Sequence, residues 1–504
     1  MFDGSCRSRW LVVVLSPLGS LALADCPIAR LAAPPGDAAP FENFAGSVAM
    51  DGARIAVGCR YDNASNLTGA VYAFRLVDQT WTLDRKLIAS DGAALDLLGR
   101  TCDVSGDRVI AGAYLANVAG WADAGAAYVF HAVDGAWQEH KLAASDPGYR
   151  EWFGWDVAIE DDYAIVGARR DLGEEGLIPP GAAYVFFWDG GAWSQQAKLR
   201  AADPDPNDAF GDAVAISGER AVIGAGQDSE GGYRAGAAYV FTRDGNAWSE
   251  NAKLLAADAD PNDHFGSALA LDGDVLAIGA PNDDRLRRNE GAVYVFRHSG
   301  AAWTQEAKLV ASDAAMDDRF GSSVDLHGNR LIVGARADDD AGPSSGSAYV
   351  FEHDGASWVE ILKLAAPDGA AGDHFGVSVA VQEDRALVGA WQEDDPAGGV
   401  DAGAAHVFAI DGPDCNTNGA IDACDIAAGL SEDVNANGVP DECEPCPGDL
   451  DGDRQVSLAD LSMLLTNYGL TNGATPEQGD LDGDGDIDLS DLAALLSAFG
   501  SSCL

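Results

Sequence analysis

Short apolar runs, separated by Gly and Asp, recur along the chain in a fixed order. Each copy opens near a Phe-Gly, continues to Val-Gly-Ala, and then reads Gly-Ala-Ala-Tyr-Val-Phe or a close variant of it; six of the seven close on Trp and Lys-Leu. Successive copies are 54 to 57 residues apart. They open at Phe44, Leu98, Phe153, Phe210, Phe265, Phe320 and Phe375. This period, with four strand-like runs per copy, predicts the blades of a β-propeller.

The copy that opens at Phe210 illustrates the pattern. Four runs in it are predicted strands: Ala213–Ile216, Arg220–Ala225, Gly236–Phe241 and Trp248–Leu255. Small residues in the early strands permit close approach near an axis, and Tyr, Phe and Trp in the later strands fill the wider gaps at the rim. We therefore predict a mainly β fold with a seven-bladed propeller over residues 25–410.

The two ends of the repeat region complement each other. The seventh copy stops at Phe408 without its Trp and Lys-Leu strand, and a matching segment, Ala29–Ala33, lies near the N-terminus. We expect this segment to complete the seventh blade, because closure hides strand edges. An open solenoid is the alternative, since a repeat count alone does not force a ring.

The repeat resembles the FG-GAP family, the blade of integrin-type propellers, in motifs such as Phe265-Gly266 and Gly279-Ala280-Pro281. The resemblance covers about residues 28–410 and implies a circular binding scaffold. Many family members carry an Asp-rich calcium loop between the first two strands. The link here, as at Leu271–Asp274, is too short for one, so we expect no calcium in the propeller.

Charge and the N-terminus narrow the class of protein. The formal net charge of −50 argues against nucleic-acid partners and anionic membrane surfaces. Arg7 and Arg9 precede an apolar run that ends in Ala22-Leu23-Ala24, so residues 1–24 have the features of a secretory signal. We expect a secreted or cell-surface protein on the extracellular or periplasmic side, with no membrane span once the signal is removed.

The C-terminal tail concentrates acidic residues in a regular frame. Residues 411–504 hold 20 Asp and Glu against one basic residue, Arg454. Two segments place oxygen atoms at the positions that an EF-hand loop uses for Ca²⁺, with position seven offering a backbone carbonyl. The expected ligands are Asp449, Asp451, Asp453, Gln455, Ser457 and Asp460, and then Asp480, Asp482, Asp484, Asp486, Asp488 and Asp491. An apolar helix is predicted after each loop, over residues 458–468 and 489–499.

The loop and helix pair at 446–504 resembles a type I dockerin, a small α-helical calcium module that binds cohesin domains in secreted polysaccharide-degrading assemblies. Dockerin helices usually present Ser or Thr early and Lys or Arg later. Here those positions are mostly apolar, as at Leu458, Leu465, Leu489 and Leu496. Packing of the helices together, or against another surface, is therefore an alternative to cohesin binding.

A second acidic pair lies in the linker at 411–445. It resembles thrombospondin type 3 calcium repeats in an Asp-x-Asn-x-Asn-Gly-x-x-Asp frame. The candidate ligands are Asp414, Asn416, Asn418, Asp422 and Asp425, and then Asp433, Asn435, Asn437, Asp441 and Glu444. The alternative is an Asn/Gly linker without metal.

Removal of the signal would leave eight cysteines, and an even number in an exported chain favours disulfides. Cys446 and Cys503 flank the dockerin-like pair and could clasp its ends. The other candidate bridges are Cys59 with Cys102, in neighbouring blades, and Cys26 with Cys415, near the last blade.

One repeat position combines arginines and aromatics. The residue after each Gly-Ala motif is expected on a strand-end loop, and the candidate ligand ring is Arg60, Tyr114, Arg169, Arg336 and Trp391. Arg suits carboxylate or sulfate, and aromatic rings stack on sugars. The alternative is local pairing of each arginine with the Asp two residues later, at Asp62, Asp171 and Asp338.

No catalytic residues are predicted, because the sequence has no zinc-protease, phosphate-loop or nucleophile-elbow motif. We expect a monomeric, non-enzymatic binding or adhesion scaffold whose propeller recognises a protein or polysaccharide. Its calcium-dependent tail would dock it to a surface or assembly through a cohesin-like receptor or an envelope component. The alternatives are an enzyme or accessory factor of extracellular polysaccharide breakdown, and a structural envelope protein.

Overall fold

The computed structural model describes residues 27–34, 37, 40–62, 67–171, 179–284, 287–394, 399–412, 431, 448–451, 455–475 and 478–500. The predicted signal and every candidate calcium ligand of the linker lie outside these residues. So do Asp453 and the cysteines Cys26, Cys415, Cys446 and Cys503.

The described strands form seven antiparallel sheets of four, and each sheet is one blade. The first strands of blades 1 to 7 are Phe44–Asp51, Cys102–Ser105, Phe153–Glu160, Phe210–Ser217, Ala268–Asp272, Phe320–His327 and Phe375–Gln382. The second strands are Arg54–Cys59, Arg108–Ala113, Tyr163–Ala168, Arg220–Ala225, Val275–Ala280, Arg330–Ala335 and Arg385–Ala390. The third strands are Ala70–Val77, Ala126–Val133, Ala182–Trp188, Ala237–Asp244, Ala292–His298, Ser347–His353 and Ala404–Ala409. The fourth strands are Thr80–Leu87, Ala136–Leu142, Trp193–Leu199, Ala247–Leu254, Trp303–Leu309, Trp358–Leu364 and, for blade 7, Pro27–Leu31.

The N-terminal strand supplies the missing edge of blade 7. Arg30 lies opposite His406, and Leu31 lies opposite Ala405. The blades are joined by a repeated backbone bond, in which the N–H that opens one copy donates to a carbonyl of the copy before it. Phe44 makes this bond to Ala402 at 3.1 Å, which joins blade 1 to blade 7. The ring is therefore closed, and the open solenoid is excluded.

The recurring glycines meet at the seams between blades. A Cβ atom on Gly224, in the second strand of blade 4, would lie 2.0 Å from the carbonyl oxygen of Gly266 in blade 5. Gly266 has a φ of +89°, and its own Cβ would lie 2.3 Å from the carbonyl oxygen of Ala237. Only glycine permits this backbone approach, which explains why both motifs recur along the chain.

Aromatic side chains fill the space between the blades. The opening Phe265 is fully buried, and its ring centre lies 5.3 Å from that of Tyr294 and 6.1 Å from that of Phe296. Burial of each such ring stabilises the fold by roughly 1.5–3 kcal/mol. The core therefore lies between neighbouring sheets rather than at the axis.

The described residues of the tail form two helices, α1 (Leu458–Asn467) and α2 (Leu489–Ala498), which end one residue before the predicted boundaries. Ser457 and Asp488 cap them, each in a reciprocal capping box. Their buried apolar residues are Val456, Leu464, Ile487 and Leu495. None of the helices formed by the described residues has the length and apolarity that a membrane span requires.

Candidate functional site

The first strands surround a polar channel of about 490 Å³ along the propeller axis. At the end where first strands begin and second strands finish, the lining includes Arg60, Arg100, Arg336, Trp155 and Trp391. We call these five residues the channel mouth. Ser, Ala and Val line the channel further in, together with carboxylates.

The structure brings only part of the predicted ring into the channel. Arg60, Arg336 and Trp391 line it. Tyr114 and Arg169 support the lining residue Trp155, because the Tyr114 ring centre lies 5.1 Å from it and the Arg169 guanidinium 4.8 Å from it. Arg169 also forms an ion pair with Asp212, with its Nε atom 3.2 Å from the carboxylate.

The expected local pairing of Arg60, Arg169 and Arg336 with Asp62, Asp171 and Asp338 is wrong. Each of these buried aspartates turns instead to the third and fourth strands of its own blade. Asp338 accepts from the Tyr349 hydroxyl at 2.9 Å and lies 3.2 Å from Lys363 Nζ. Asp62 likewise pairs with Tyr72 and Lys86, and Asp171 with Tyr184 and Lys198.

This set of a carboxylate, a tyrosine and a lysine is a repeated latch within the blades. A second aspartate joins it from the loop before each blade, as Asp313 does in blade 6, 2.6 Å from Lys363 Nζ. In blade 7 the equivalent residues are Glu393, His406 and Arg30, with Glu393 2.6 Å from His406 and 2.8 Å from Arg30. The closing strand is therefore held by charge as well as by backbone pairing.

Sequence reasoning missed Arg100 and Trp155, which follow the Phe-Gly motif or its equivalent. The Arg100 guanidinium lies 3.6 Å from the Trp155 ring centre, and one of its nitrogens donates to the Trp155 carbonyl at 2.9 Å. Trp155 also stacks on Trp152 at 5.2 Å. The signal was present, because Arg100 and Trp155 stand at a position where the other copies hold Gly46, Asp212, Ser267, Ser322 and Val377.

The arginines of the channel mouth remain cationic although they are partly buried. Burial lowers the pKa of Arg60 and of Arg336, and Arg319 nearby lowers that of Arg336 further. Burial also lowers the pKa of Arg100 to about 10, against the opposing effect of Asp156 and Asp212. All three side chains carry a full charge at neutral pH.

Three carboxylates lie deeper in the channel and accept hydrogen bonds from backbone N–H groups of the first strands. Asp103, Asp156 and Asp325 accept the backbone N–H groups of Ile159, Val214 and Val381 in the next blade, at 2.7–2.8 Å. Burial raises their pKa values, to about 7 for Asp103 and about 6 for the other two, against these hydrogen bonds. Their contacts assign them a role in joining blades.

The two thiols of the described propeller are free. Cys59 and Cys102 are buried in different core clusters, so the predicted bridge between them is absent. The Cys59 sulfur faces the carbonyl of Glu42 at 3.6 Å, whereas that of Cys102 faces Ser47 Oγ at 3.5 Å. Burial raises the pKa of both thiols.

The tail loops gather carboxylates at the start of each helix. Asp460 accepts the N–H groups of Leu450 and Ser457, each at 2.7 Å. Asp491 accepts those of Leu481 and Asp488, each at 2.8 Å. Burial disfavours the ionised form of Asp460 and Asp491, but the backbone donors outweigh it and lower both pKa values.

The same loops supply ligand atoms at close range. One oxygen from each residue of the set Asp449, Asp451 and Asp460 lies within 4.8 Å of the others, and the set Asp480, Asp482 and Asp491 repeats this. Asp486 and Asp488 form a further set with Asp491. Such all-oxygen sets fit Ca²⁺. Asp484 accepts the N–H of Asp486, and Ser457 caps α1. Gln455, which is expected to offer its backbone carbonyl, lies two residues before that cap.

The family comparison agrees with the seven blades. A model described as FG-GAP repeat matches residues 28–74, 81–130, 137–186, 193–241, 248–296, 303–351 and 358–408. Among solved structures, the chain is similar to the crystal structure of the Saccharomyces cerevisiae Sqt1. That match has 9% identity and a TM-score of 0.42, and it covers 76% of this chain and 99% of that chain, which is too weak to carry an argument. Propellers of FG-GAP repeats are scaffolds of the binding and adhesion type, typical of extracellular proteins. Seven matches over seven blades show that the chain belongs to the FG-GAP repeat family.

Proposed function

We propose that the protein is an exported, non-enzymatic binding scaffold. Its propeller recognises an extracellular ligand, and its tail binds Ca²⁺ and docks the protein to a surface or assembly. The observation that carries the tail's role is the duplicated group of carboxylates in a segment with almost no basic residue. Each group would hold one Ca²⁺, because oxygens so close together repel one another until a cation joins them.

The exposed faces of the two helices support docking. Leu458 and Leu489 are each 70% exposed, and Leu465 and Leu496 are each 52% exposed. The two pairs occupy equivalent positions after the two loops, so the same apolar feature is presented twice. Calcium would order the loops that position these helices, which is why docking is expected to depend on it.

The non-enzymatic assignment rests on what the channel carboxylates do. Asp103, Asp156 and Asp325 hold backbone amides of neighbouring blades, and Asp212 holds Arg169 and the indole N–H of Trp155. These contacts give each acid a structural task. A scaffold that binds its ligand without chemistry is therefore the function that the site supports best.

Calcium titration of the full exported chain tests this proposal. We expect calorimetry to detect one Ca²⁺ per loop, and the pair Asp451→Asn and Asp482→Asn to weaken binding by about tenfold or more, since each removes a charged ligand but keeps its shape. Glu219→Ala, which removes an exposed acid from a propeller turn, serves as the control and should leave calcium binding unchanged.

Capture from the organism's own envelope and culture fluid then tests docking. The wild-type chain should retain a protein with calcium and lose it with chelator, whereas the double variant should not retain it in either condition. An exported chain that binds no calcium, or that retains the same proteins with and without it, would contradict the assignment.

A further inference from the structure

We propose that the channel mouth binds an acidic sugar and holds its carboxylate between Arg60 and Arg336. This inference deepens the proposed role of the propeller as the ligand-binding element and rests on it. The sugar could be a free sugar acid or a uronate residue within a polysaccharide, since both present the same carboxylated ring.

Within the described part of the chain, cations without a carboxylate partner set the channel mouth apart from the lysines of the propeller. The chain has 81 acidic and 31 basic residues, and each of its six lysines forms a salt bridge. Arg60 and Arg336 differ, because neither has a carboxylate partner among the described residues. Arg60 donates to the neutral amide oxygen of Asn43 at 3.1 Å, and Arg336 lies close to another cation, Arg319. Two partly buried charges at one cavity call for an anion.

The guanidinium of Arg60 is held in one orientation by its neighbours. The Arg60 guanidinium lies 4.5 Å from the ring centre of Trp391 and 5.0 Å from that of Tyr61, so its plane is fixed by rings from blades 7 and 1. Asn43 engages its Nε and Nη2 atoms, and Arg60 is among the residues that line the channel, so its Nη1 atom is available to a ligand there. A guanidinium held in this way suits a planar carboxylate, which it recognises by direction as well as by charge.

Polar groups that can accept hydrogen bonds line the channel together with the arginines. The hydroxyl of Ser267 donates to the carbonyl of His264 at 2.7 Å, and that of Ser322 to the carbonyl of Gly334 at 3.2 Å. Their oxygens remain able to accept from a ligand hydroxyl. The nearby carboxylates of Asp156 and Asp212 also line the channel as acceptors. A polyhydroxyl ligand matches this shell, whereas an apolar anion would leave its polar groups unpaired.

The channel has the size of a small-molecule site, and its arginines are distributed unevenly around it. A volume of about 490 Å³ lies within the range of small-molecule sites, roughly 300–1,000 Å³. Arg336 and Arg60 come from blades 6 and 1, whereas the equivalent positions of blades 4 and 5 hold Gly226 and Pro281. The equivalent Arg169 of blade 3 is paired with Asp212. The carboxylate would therefore face blades 6 and 1, and the sugar hydroxyls would face blades 3 to 5.

Titration of the full exported chain with D-glucuronate, D-glucose and sodium sulfate tests this assignment by calorimetry. Glucuronate should bind at least about tenfold more tightly than glucose, because its carboxylate forms charged hydrogen bonds with the arginines that glucose cannot form. Arg60→Gln combined with Arg336→Gln should weaken glucuronate binding by about tenfold or more. Arg75→Gln, an exposed arginine of the same blade as Arg60, should bind glucuronate like the wild type.

A glucuronate-containing oligosaccharide separates the two sources of the ligand. Tighter binding of the oligosaccharide supports a polysaccharide uronate, and equal binding supports a free sugar acid. Thermal unfolding of each variant checks that it folds, and Arg336→Gln alone is the milder variant if the double one does not.

Three results would overturn the assignment: no binding of either carboxylated probe, equal affinity for glucuronate and glucose, or sulfate binding as tight as that of glucuronate. Calcium binding is measured on the same samples. Failure of the sugar site therefore leaves the calcium result standing, and failure of calcium binding leaves the sugar result standing.

Discussion

The propeller and the tail both repeat groups of aspartates, but they differ in what neutralises them. In blade 6, Asp313, Asp338 and Asp340 surround the ammonium of Lys363 at 2.5–3.2 Å. In the tail, Asp480, Asp482 and Asp491 each place one oxygen within 4.8 Å of the others, as the three aspartates of blade 6 also do. Arg454 is the one basic residue in 94 positions, 411–504. The propeller carries its cation within the fourth strand, whereas under the proposed function the tail takes Ca²⁺ from solution.

This difference has a consequence for stability. A latch closed by a covalently attached lysine forms whenever the blade forms, so the propeller is expected to be indifferent to calcium. Under the proposed function, the charge of the tail carboxylates is neutralised only when calcium binds from solution. At a calcium concentration one hundred times the dissociation constant, binding stabilises the folded tail by about 2.7 kcal/mol. If the tail binds calcium as proposed, repetition of one residue type serves an autonomous domain in the propeller and a calcium-dependent one in the tail.

Removal of the lysine from the latch of blade 6 should have the largest effect on stability. Lys363→Met should lower the free energy of unfolding by about 3 kcal/mol, because it leaves buried Asp338 without its cation. Urea unfolding measures the loss. Calcium should then recover part of it, since the remaining carboxylates, Asp313, Asp338 and Asp340, resemble a tail loop.

Lys141→Met is the matched control, in blade 2. Lys141 pairs with the exposed Asp91, and the inner aspartate is replaced there by Ala116. The loss should stay below about 1 kcal/mol and should not respond to calcium. Equal losses for the two variants would show that the stability contributed by the lysine does not require the inner aspartate.

The tyrosine of the latch gives a smaller effect. Tyr349 donates toward Asp313 and Asp338, at 2.8 and 2.9 Å, whereas Tyr128 of blade 2 reaches only Asp91, at 2.7 Å. Tyr349→Phe should cost about 1–2 kcal/mol in chemical unfolding, and Tyr128→Phe less. A larger cost for Tyr128→Phe would contradict the assignment of the inner aspartate as the stronger partner.

The smallest expected effect concerns the channel and depends on pH. Burial raises the pKa of Asp103 to about 7, against about 3.9 in an unfolded chain. Between these values the native state keeps a proton that the unfolded state has lost, so this group's contribution to stability falls as pH rises from about 4 to about 7.

Asp103→Asn removes the charge and keeps an oxygen for the N–H of Ile159. The variant should equal the wild type in stability at pH 4 and exceed it at pH 8, and the difference should grow as pH rises from about 4 to about 7. Thermal unfolding at the two pH values measures the difference. A variant that is less stable at pH 8 would show that the ionised carboxylate is favourable in the channel.

Most of the propeller could be predicted from the chain because its signals are local and repeated. The strands of each blade follow from short apolar runs and Gly turns, and the closing strand at Pro27–Leu31 follows from a missing motif at one end and its copy at the other. The helices α1 and α2 follow from apolar runs after capping residues. Prediction failed for the partners of Arg60, Arg336, Cys59 and Cys102, because each partner is chosen by the packing of one strand against another.

The sequence by itself determined the number of blades and the spacing of the tail carboxylates, since periodicity is a property of the local sequence. The structure decided that the ring closes, through the pairing of Pro27–Leu31 with the third strand of blade 7. Only the tertiary structure decided that Asp62 and Asp338 turn toward Tyr and Lys, and that Arg100 and Trp155 join Arg60, Arg336 and Trp391 at one cavity. The physical reason is that a ring brings together residues more than 200 positions apart, and each charged side chain then takes the partner that the neighbouring strand places within a few ångströms.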